Sequence, residues 1–230
     1  MLRERVSIVV TAAGHPGIFT EVLKHNNITV LHVVSSVKQA QTAQSCGVDA
    51  IIAEGIEAGG DNGIDELPLF ALMPQVVDAV FIPVVIAGGI GDAIGFAAAM
   101  ALGAEGVQLG TRFVASNECI AHSKYKKTIV DADDTGSVIT SRRLLPTRSL
   151  RTEFSKILSD LENSGATADE IREFLGYSRA RKEQLEGDLV NGEAYCGASV
   201  GLIKEIIPAA SVVQKLVEGW QEVIDGLVIS

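Results

Sequence analysis

The chain has 230 residues, 47% of them hydrophobic and 21% charged, with a formal net charge of −10. That suits one large soluble domain, or one domain with an appendage, with enough apolar residues for a sizeable core. The acidic balance argues against a nucleic-acid groove or an anionic membrane surface as the main partner, and no apolar run reaches the ~18 residues a spanning helix needs.

Residues 6–11, "VSIVVT", are apolar and β-branched and stop at "AAGHPG". They predict a first strand. Helical spacing follows over 18–25, a strand over 29–34 and a helix over 37–45 ended by Cys46-Gly47. A third strand at 50–53 runs into the loop "EGIEAGGDNGIDELP". Residues 69–80 predict a helix, 83–87 a fourth strand, 92–102 a helix and 106–109 a fifth strand. Near-continuous apolar strands alternating with helices indicate a parallel sheet covered on both faces. "SCGVDAIIAEG" and "ALGAEGVQLGT" repeat one plan, with Gly47 matching Gly103 two ordinary βα units later; this favours a βα repeat architecture.

The character changes near residue 120. "HSKYKKTIVDADDTG" is polar and helical in pattern, and "SRRLLPTRSLRTEF" is basic and broken by Pro146. Residues 152–190 predict two or three amphipathic helices, "NGEAYCGASVGLI" is glycine-rich, and a closing helix follows Pro208. The division expected is therefore a βα part over 1–119 and a mainly helical subdomain over 120–230.

Cys46, Cys119 and Cys196 lie far apart, with no C-x-x-C pair. That is neither a disulfide framework nor a zinc site, and it fits a reducing cytoplasm. The opening "MLRERVSIVVTAAGHPG" does not have the pattern of a secretory leader.

Ligands of a parallel βα array bind at the carboxyl ends of the strands. Three glycine-rich tips lie there: "AEGIEAGGDNG", "AGGIGD" and "LGTR". Gly88 and Gly89 lack side chains, so their amides can approach an anion, and the helix that follows adds the positive end of its dipole. Gly110 and Thr111 offer the same with a hydroxyl. Two such tips on consecutive strands favour a phosphate site; the plainer reading is a pair of tight βα turns. The Walker and G-x-G-x-x-G spacings are absent. The third loop carries Glu54, Glu57 and Asp61 around three glycines, either as a functional loop or as a solvated acidic one. It lacks EF-hand spacing and a nearby histidine, so no metal is expected. His15 follows the first strand and could face the site, His32 reads as a core histidine, and His25 and His122 as surface residues.

Together "GVDAIIAEGIEAGGDNG", "IPVVIAGGIGDAIGFAAAMALGAEGVQLGTRF" and "AHSKYKK" closely resemble the nitronate monooxygenase (2-nitropropane dioxygenase) family, which includes FMN-dependent enoyl-ACP reductases. "LLPTRSLRTEF" and "CGASVGLIKEI" resemble its C-terminal segment. The resemblance implies an α/β fold of the FMN-binding (β/α)8 TIM-barrel type with a helical subdomain. It places the FMN phosphate at Gly88, Gly89, Gly110 and Thr111, and the flavin ring beside Glu57, Ala58, Gly59 and Gly60. Residues 197–201 would approach the flavin from the C-terminal side.

This chain departs from the family twice. The family's E-A-G-G-H histidine is Asp61 here, which is thus the candidate catalytic base. The family also carries barrel strands ahead of the match to 6–11, so the barrel is expected to be incomplete, with only its five C-terminal strands. The activity implied is oxidation of alkyl nitronates by O2 to a carbonyl compound and nitrite. The alternatives are an enoyl-ACP reductase using FMN with NAD(P)H as reductant, and an inactive truncated or split-barrel flavin- or phosphate-binding module. The expected partners are a small-molecule substrate and either a second copy or a chain that completes the barrel. Nucleic acid and membrane are not expected, and the location expected is cytoplasmic.

Overall fold

The computed structural model describes residues 4–177 and 179–227. Residues 1–3, on which the reading of the chain's start partly rests, lie outside the described residues, as do Ser178 and 228–230. Strands and helices alternate through the first half: β1 (Ile8–Thr11), α1 (Gly17–His25), β2 (Thr29–Val34), α2 (Val37–Ser45) and β3 (Ala50–Glu54). After the short β4 (Gly60–Asp61) come α3 (Leu69–Ala79), β5 (Val84–Ala87), α4 (Ala93–Ala101) and β6 (Gly106–Gln108). Apart from β4, which the sequence reading left in a loop, each boundary falls within about two residues of that reading, because the caps are written into the chain. Ser36 caps α2 by accepting from the Gln39 amide, and Asp92 caps α4 by accepting from the Gly95 amide.

Five of these strands form one all-parallel sheet in the order β1-β2-β3-β5-β6. The register sets Leu31 opposite Ala50 and Ala87 opposite Gln108, so the carboxyl ends of β3, β5 and β6 lie side by side. One face packs on the helices: Val9, Val30, Val34, Ile51, Ala53, Val84 and Ile86 meet Leu23, Ala40, Leu72, Met73 and Val76 in the main core. The other face is open toward β1, where Ile8 is 57% and Val10 49% exposed. A parallel sheet is ordinarily covered on both faces; here the apolar inner face is the interior wall of a barrel of TIM type, five strands of which are present among the described residues.

The second half holds α5 (Thr111–Val114), α6 (Ser123–Asp131), α7 (Glu153–Asn163), α8 (Ala168–Leu175), α9 (Arg179–Glu186) and α10 (Ala209–Leu227). It also holds two strands that periodicity did not reveal, β7 (Ser137–Thr140) and β8 (Thr147–Leu150). With β4 they form an antiparallel sheet in the order β4-β8-β7. The stretch around Pro146, within the part expected to be mainly helical, is the turn of a hairpin, and Arg148 is a strand residue. The two halves are joined twice. β8 pairs with β4, and α10 lies along α4, with Gly219 against Ala93 and Trp220 against Phe96 at 5.7 Å between ring centroids. Among the described residues no helix is long and apolar enough to cross a membrane.

His32 is buried in β2, 2.7 Å from the Thr11 hydroxyl, and burial holds its pKa below the usual histidine value. His15 is exposed and lines neither of the cavities described below. His122, expected at the surface, is half-buried: it caps α6 and its ring fills the space over Gly187.

Glu183 is the one fully buried residue of α9, and neither of its carboxyl oxygens finds a partner. Burial first, then the charges of Asp188 and Glu193, pushes its pKa up to about 8. Because the folded value lies above the unfolded one, its contribution to stability is whole below the ordinary carboxyl pKa. It is lost as pH rises toward and through about 8. Glu183→Gln should raise the unfolding free energy at neutral pH by on the order of 1–3 kcal/mol, and urea melts should show a flatter decline between pH 5 and 8 than the parent chain gives.

Candidate functional site

Three strand tips and one distant segment meet at the carboxyl end of the large sheet. Gly88-Gly89 ends β5, Leu109-Gly110-Thr111 ends β6, and the loop after β3 brings Ala58 and Gly59. Residues 197–202 come from the other half of the chain. The Gly197 amide donates to the Thr111 hydroxyl at 2.8 Å, and the Ala198 amide donates to the Glu57 carbonyl at 2.8 Å. These contacts enclose a cavity of about 240 Å³ lined by Gly59, Gly88, Gly89, Gly110, Thr111 and Gly197, with Glu54, Gln108, Tyr125 and Tyr195.

The glycines divide into two kinds. A Cβ on Gly59 would lie 2.5 Å from the Cys196 carbonyl carbon, and one on Gly88 2.9 Å from the Ala58 amide nitrogen. Gly88 also has φ +98°, which L side chains rarely adopt. These two are glycines because backbone packs on backbone. Gly110 has φ −99°, open to any residue, and a Cβ there would meet nothing within 4 Å. The protein's own packing gives no reason for glycine at 110; a group lodged against the backbone does.

Among the described residues, the amides of Gly88, Gly89, Gly110 and Thr111 donate to no protein acceptor. Unpaired amides gathered at one cavity attract an anion. The Thr111 hydroxyl accepts from Gly197 and still has its own proton to give. The expected help from the α4 dipole is already taken up, because the Asp92 carboxylate sits at that helix end. At about 240 Å³ the cavity falls below the ~300–1,000 Å³ of a whole drug-sized ligand site. FMN fits this donor set through its phosphate.

The other residues singled out from sequence lie elsewhere. Both Glu57 carboxylate oxygens accept from the Leu69 amide, at 3.0 and 3.1 Å. The carboxylate caps α3, which begins at Pro68 without a capping side chain, and it does not line the cavity. Gly60 lies outside it too, under the Tyr195 ring. Asp61 is exposed in β4, where its Oδ1 accepts from the Thr147 hydroxyl at 2.9 Å. It lines a second cavity of about 310 Å³, and Tyr195 lines both.

Sequence reasoning missed Tyr125, Tyr195, Gln108 and Arg148. Arg148 donates through Nε to the Ile56 carbonyl at 3.0 Å and so holds the loop after β3. The Tyr125 hydroxyl donates to the Tyr195 carbonyl, which pins the segment that carries the second tyrosine. Only the β-branched and polar alternation of "TRSL" could have marked β8 and hence Arg148. Glu54 ends β3 inside the first cavity, where burial, then the charge of Asp61, pushes its pKa up to about 7. Cys196 is pushed up to about 12, chiefly by burial, which keeps its thiol inert.

The nitronate monooxygenase family model matches residues 1–219. This chain belongs to the nitronate monooxygenase family. A probable nitronate monooxygenase of Staphylococcus saprophyticus is 39% identical over 153 residues, 62% of this chain and 43% of that protein. One from Staphylococcus aureus is 38% identical over 149 residues, 61% of this chain and 42% of the relative. The match therefore spans less than half the length of these curated relatives. Among solved structures, FabK from Thermotoga maritima superposes with a TM-score of 0.92 at 40% identity, covering 98% of this chain and 71% of that one. Nitroalkane oxidase from Streptomyces ansochromogenes does so with a TM-score of 0.81 at 26% identity, covering 98% and 67%. Their likeness to nearly the whole of this family member supports the incomplete-barrel reading of the five-stranded sheet.

The two kinds of glycine separate by mutation. Gly88→Ala should cost about 2–4 kcal/mol through strain and backbone clash, whereas Gly110→Ala should change stability by less than about 0.5 kcal/mol. Chemical denaturation of both variants checks the contrast.

Proposed function

We propose that this chain provides the phosphate-binding half of an FMN-dependent oxidoreductase site whose reaction is the oxidation of alkyl nitronates by O2 to a carbonyl compound and nitrite. The observation that carries the reading is the set of unpaired amides at Gly88, Gly89, Gly110 and Thr111 around one cavity. Family membership supports it. Those amides and the Thr111 hydroxyl would hold the phosphate. When bound, FMN supplies the electron transfer between substrate and oxygen.

The chain's own residues orient, exclude water and move protons. Tyr195 stands between the two cavities and separates the phosphate seat from the space beside Asp61. Asp61 occupies the position of the family histidine and is our candidate base. Thr147 restricts its rotation through a hydrogen bond. Base catalysis by a held carboxylate is worth about 10²–10⁴ in rate. The apolar inner face at Ile8 and Val10 calls for further strands, from the same polypeptide or from another copy or chain, to complete the flavin pocket. The structural likeness to FabK favours a second reading, an enoyl thioester reductase in which NAD(P)H reduces the flavin.

The purified protein should be yellow, with a bound-flavin absorption spectrum, and should consume oxygen with an alkyl nitronate while releasing nitrite. Flavin bleaching by NAD(P)H with turnover of an enoyl thioester, and no nitronate turnover, would establish the second reading instead. Gly110→Val should weaken FMN binding at least about tenfold, read by recovery of flavin fluorescence. Asp61→Asn should lower turnover by about 10² while leaving that fluorescence titration unchanged.

A further inference from the structure

The second cavity carries a different chemistry from the first. Its walls come from β4, the Ser141–Thr147 turn, the α8–α9 junction and residues 193–195. Glu193 is only 6% exposed and its Oε1 has no hydrogen-bond partner; Ser141 is 2% exposed and its Oγ has none either. Both line the cavity, together with the Asp61 carboxylate, which accepts only from Thr147. Three oxygen acceptors thus face one space of about 310 Å³.

A guanidinium also stands in the wall. Arg179 donates Nε to the Leu175 carbonyl, Nη1 to that of Asn191 and Nη2 to that of Phe174, at 2.7, 3.0 and 2.8 Å. It also lies over the Phe154 and Phe174 rings, 5.5 and 5.8 Å from their centroids. Three of its five N–H donors are thus committed to the fold. An anion entering the cavity would meet the carboxyls of Asp61 and Glu193 as well as the Arg179 charge. A ligand that brings N–H donors and positive charge would satisfy acceptors that are otherwise buried without partners, which is worth more than the same contact in water. Leu144, Leu145 and Leu175 supply an apolar side for a short hydrocarbon.

We propose that this cavity is a binding site for a small protonated alkylamine, its ammonium held by Glu193, Asp61 and Ser141 and its chain laid against the three leucines. The site lies apart from the glycine cradle, though it shares Asp61 with the proposed reaction.

The charged and titratable groups that bear on Glu193 are Asp61 and Tyr195, with Glu183 and the cavity-lining Arg179 facing it from α9. Burial, then Asp61, raises Glu193 to about 7, and the Tyr195 phenol opposes this. Ammonium binding favours the ionised carboxylate, so it should release a proton near neutral pH and tighten as pH rises from 6 to 8. The test is calorimetric titration of the flavin-free full chain with n-butylamine, butyrate and 1-butanol, repeated in buffers of different ionisation heat to count protons. The expected result is one butylammonium per chain, bound at least about tenfold more tightly than butyrate or butanol, with proton release near pH 7. Glu193→Gln should lose about tenfold in affinity and most of the proton release, with an unchanged circular dichroism spectrum. If that variant does not fold, Asp61→Asn, at the exposed mouth, carries the same expectation for affinity. Equal or tighter binding of butyrate, no binding of butylamine, or full affinity in the folded variants would overturn the proposal. FMN binding, measured separately, is unaffected by any of these outcomes.

Discussion

Backbone lying directly on backbone at Gly59 and Gly88 is the contact on which the candidate site depends. The loop after β3 can approach the β5 tip only because Gly88 offers no Cβ to the Ala58 amide. The 197–202 segment can approach that loop only because Gly59 offers none to Cys196, and a Cβ on Gly197 would stand 3.0 Å from the Glu57 carbonyl oxygen. These approaches draw the two halves of the chain together. The Gly197–Thr111 and Ala198–Glu57 hydrogen bonds then seal the junction. Side chains at these points would clash with backbone and force the layers apart.

That close approach also sorts the charges. Side-chain-free tips leave amides without a protein acceptor at the β5–β6 end, so that end offers donors without a lysine or arginine. The opposite side, around Asp61 and Glu193, is acidic. Glu54 is the exception, since it ends β3 inside the amide-lined cavity. Its pKa of about 7 lets it be neutral beside an anion at small cost, where an ordinary glutamate would repel it. Tyr195 stands at the boundary of the two regions, its carbonyl engaged by Tyr125 and its ring over Gly60.

Glu57 shows how a conspicuous loop carboxylate can be structural. Pro68 cannot cap α3, so the first free amide of that helix, Leu69, takes both oxygens of a glutamate twelve residues earlier. The spacing in sequence carries no trace of this pairing, because it depends on how the loop folds back across the sheet. Asp92 is the opposite case. A carboxylate one residue before a helix is a cap by local rules alone, and the structure uses it so.

The βα alternation, the strand and helix boundaries through residue 109 and the glycine-rich tips were all legible in the sequence, because local propensity, capping and tight turns act over a few residues. The motifs of the family resemblance added the barrel type. Which glycines are spent on the protein's own packing, which amides remain unpaired, and the pairing of β4 with β8 across more than eighty residues were decided only in three dimensions. Those properties belong to segments far apart in the chain, and an unmet hydrogen bond exists only once every neighbour is in place.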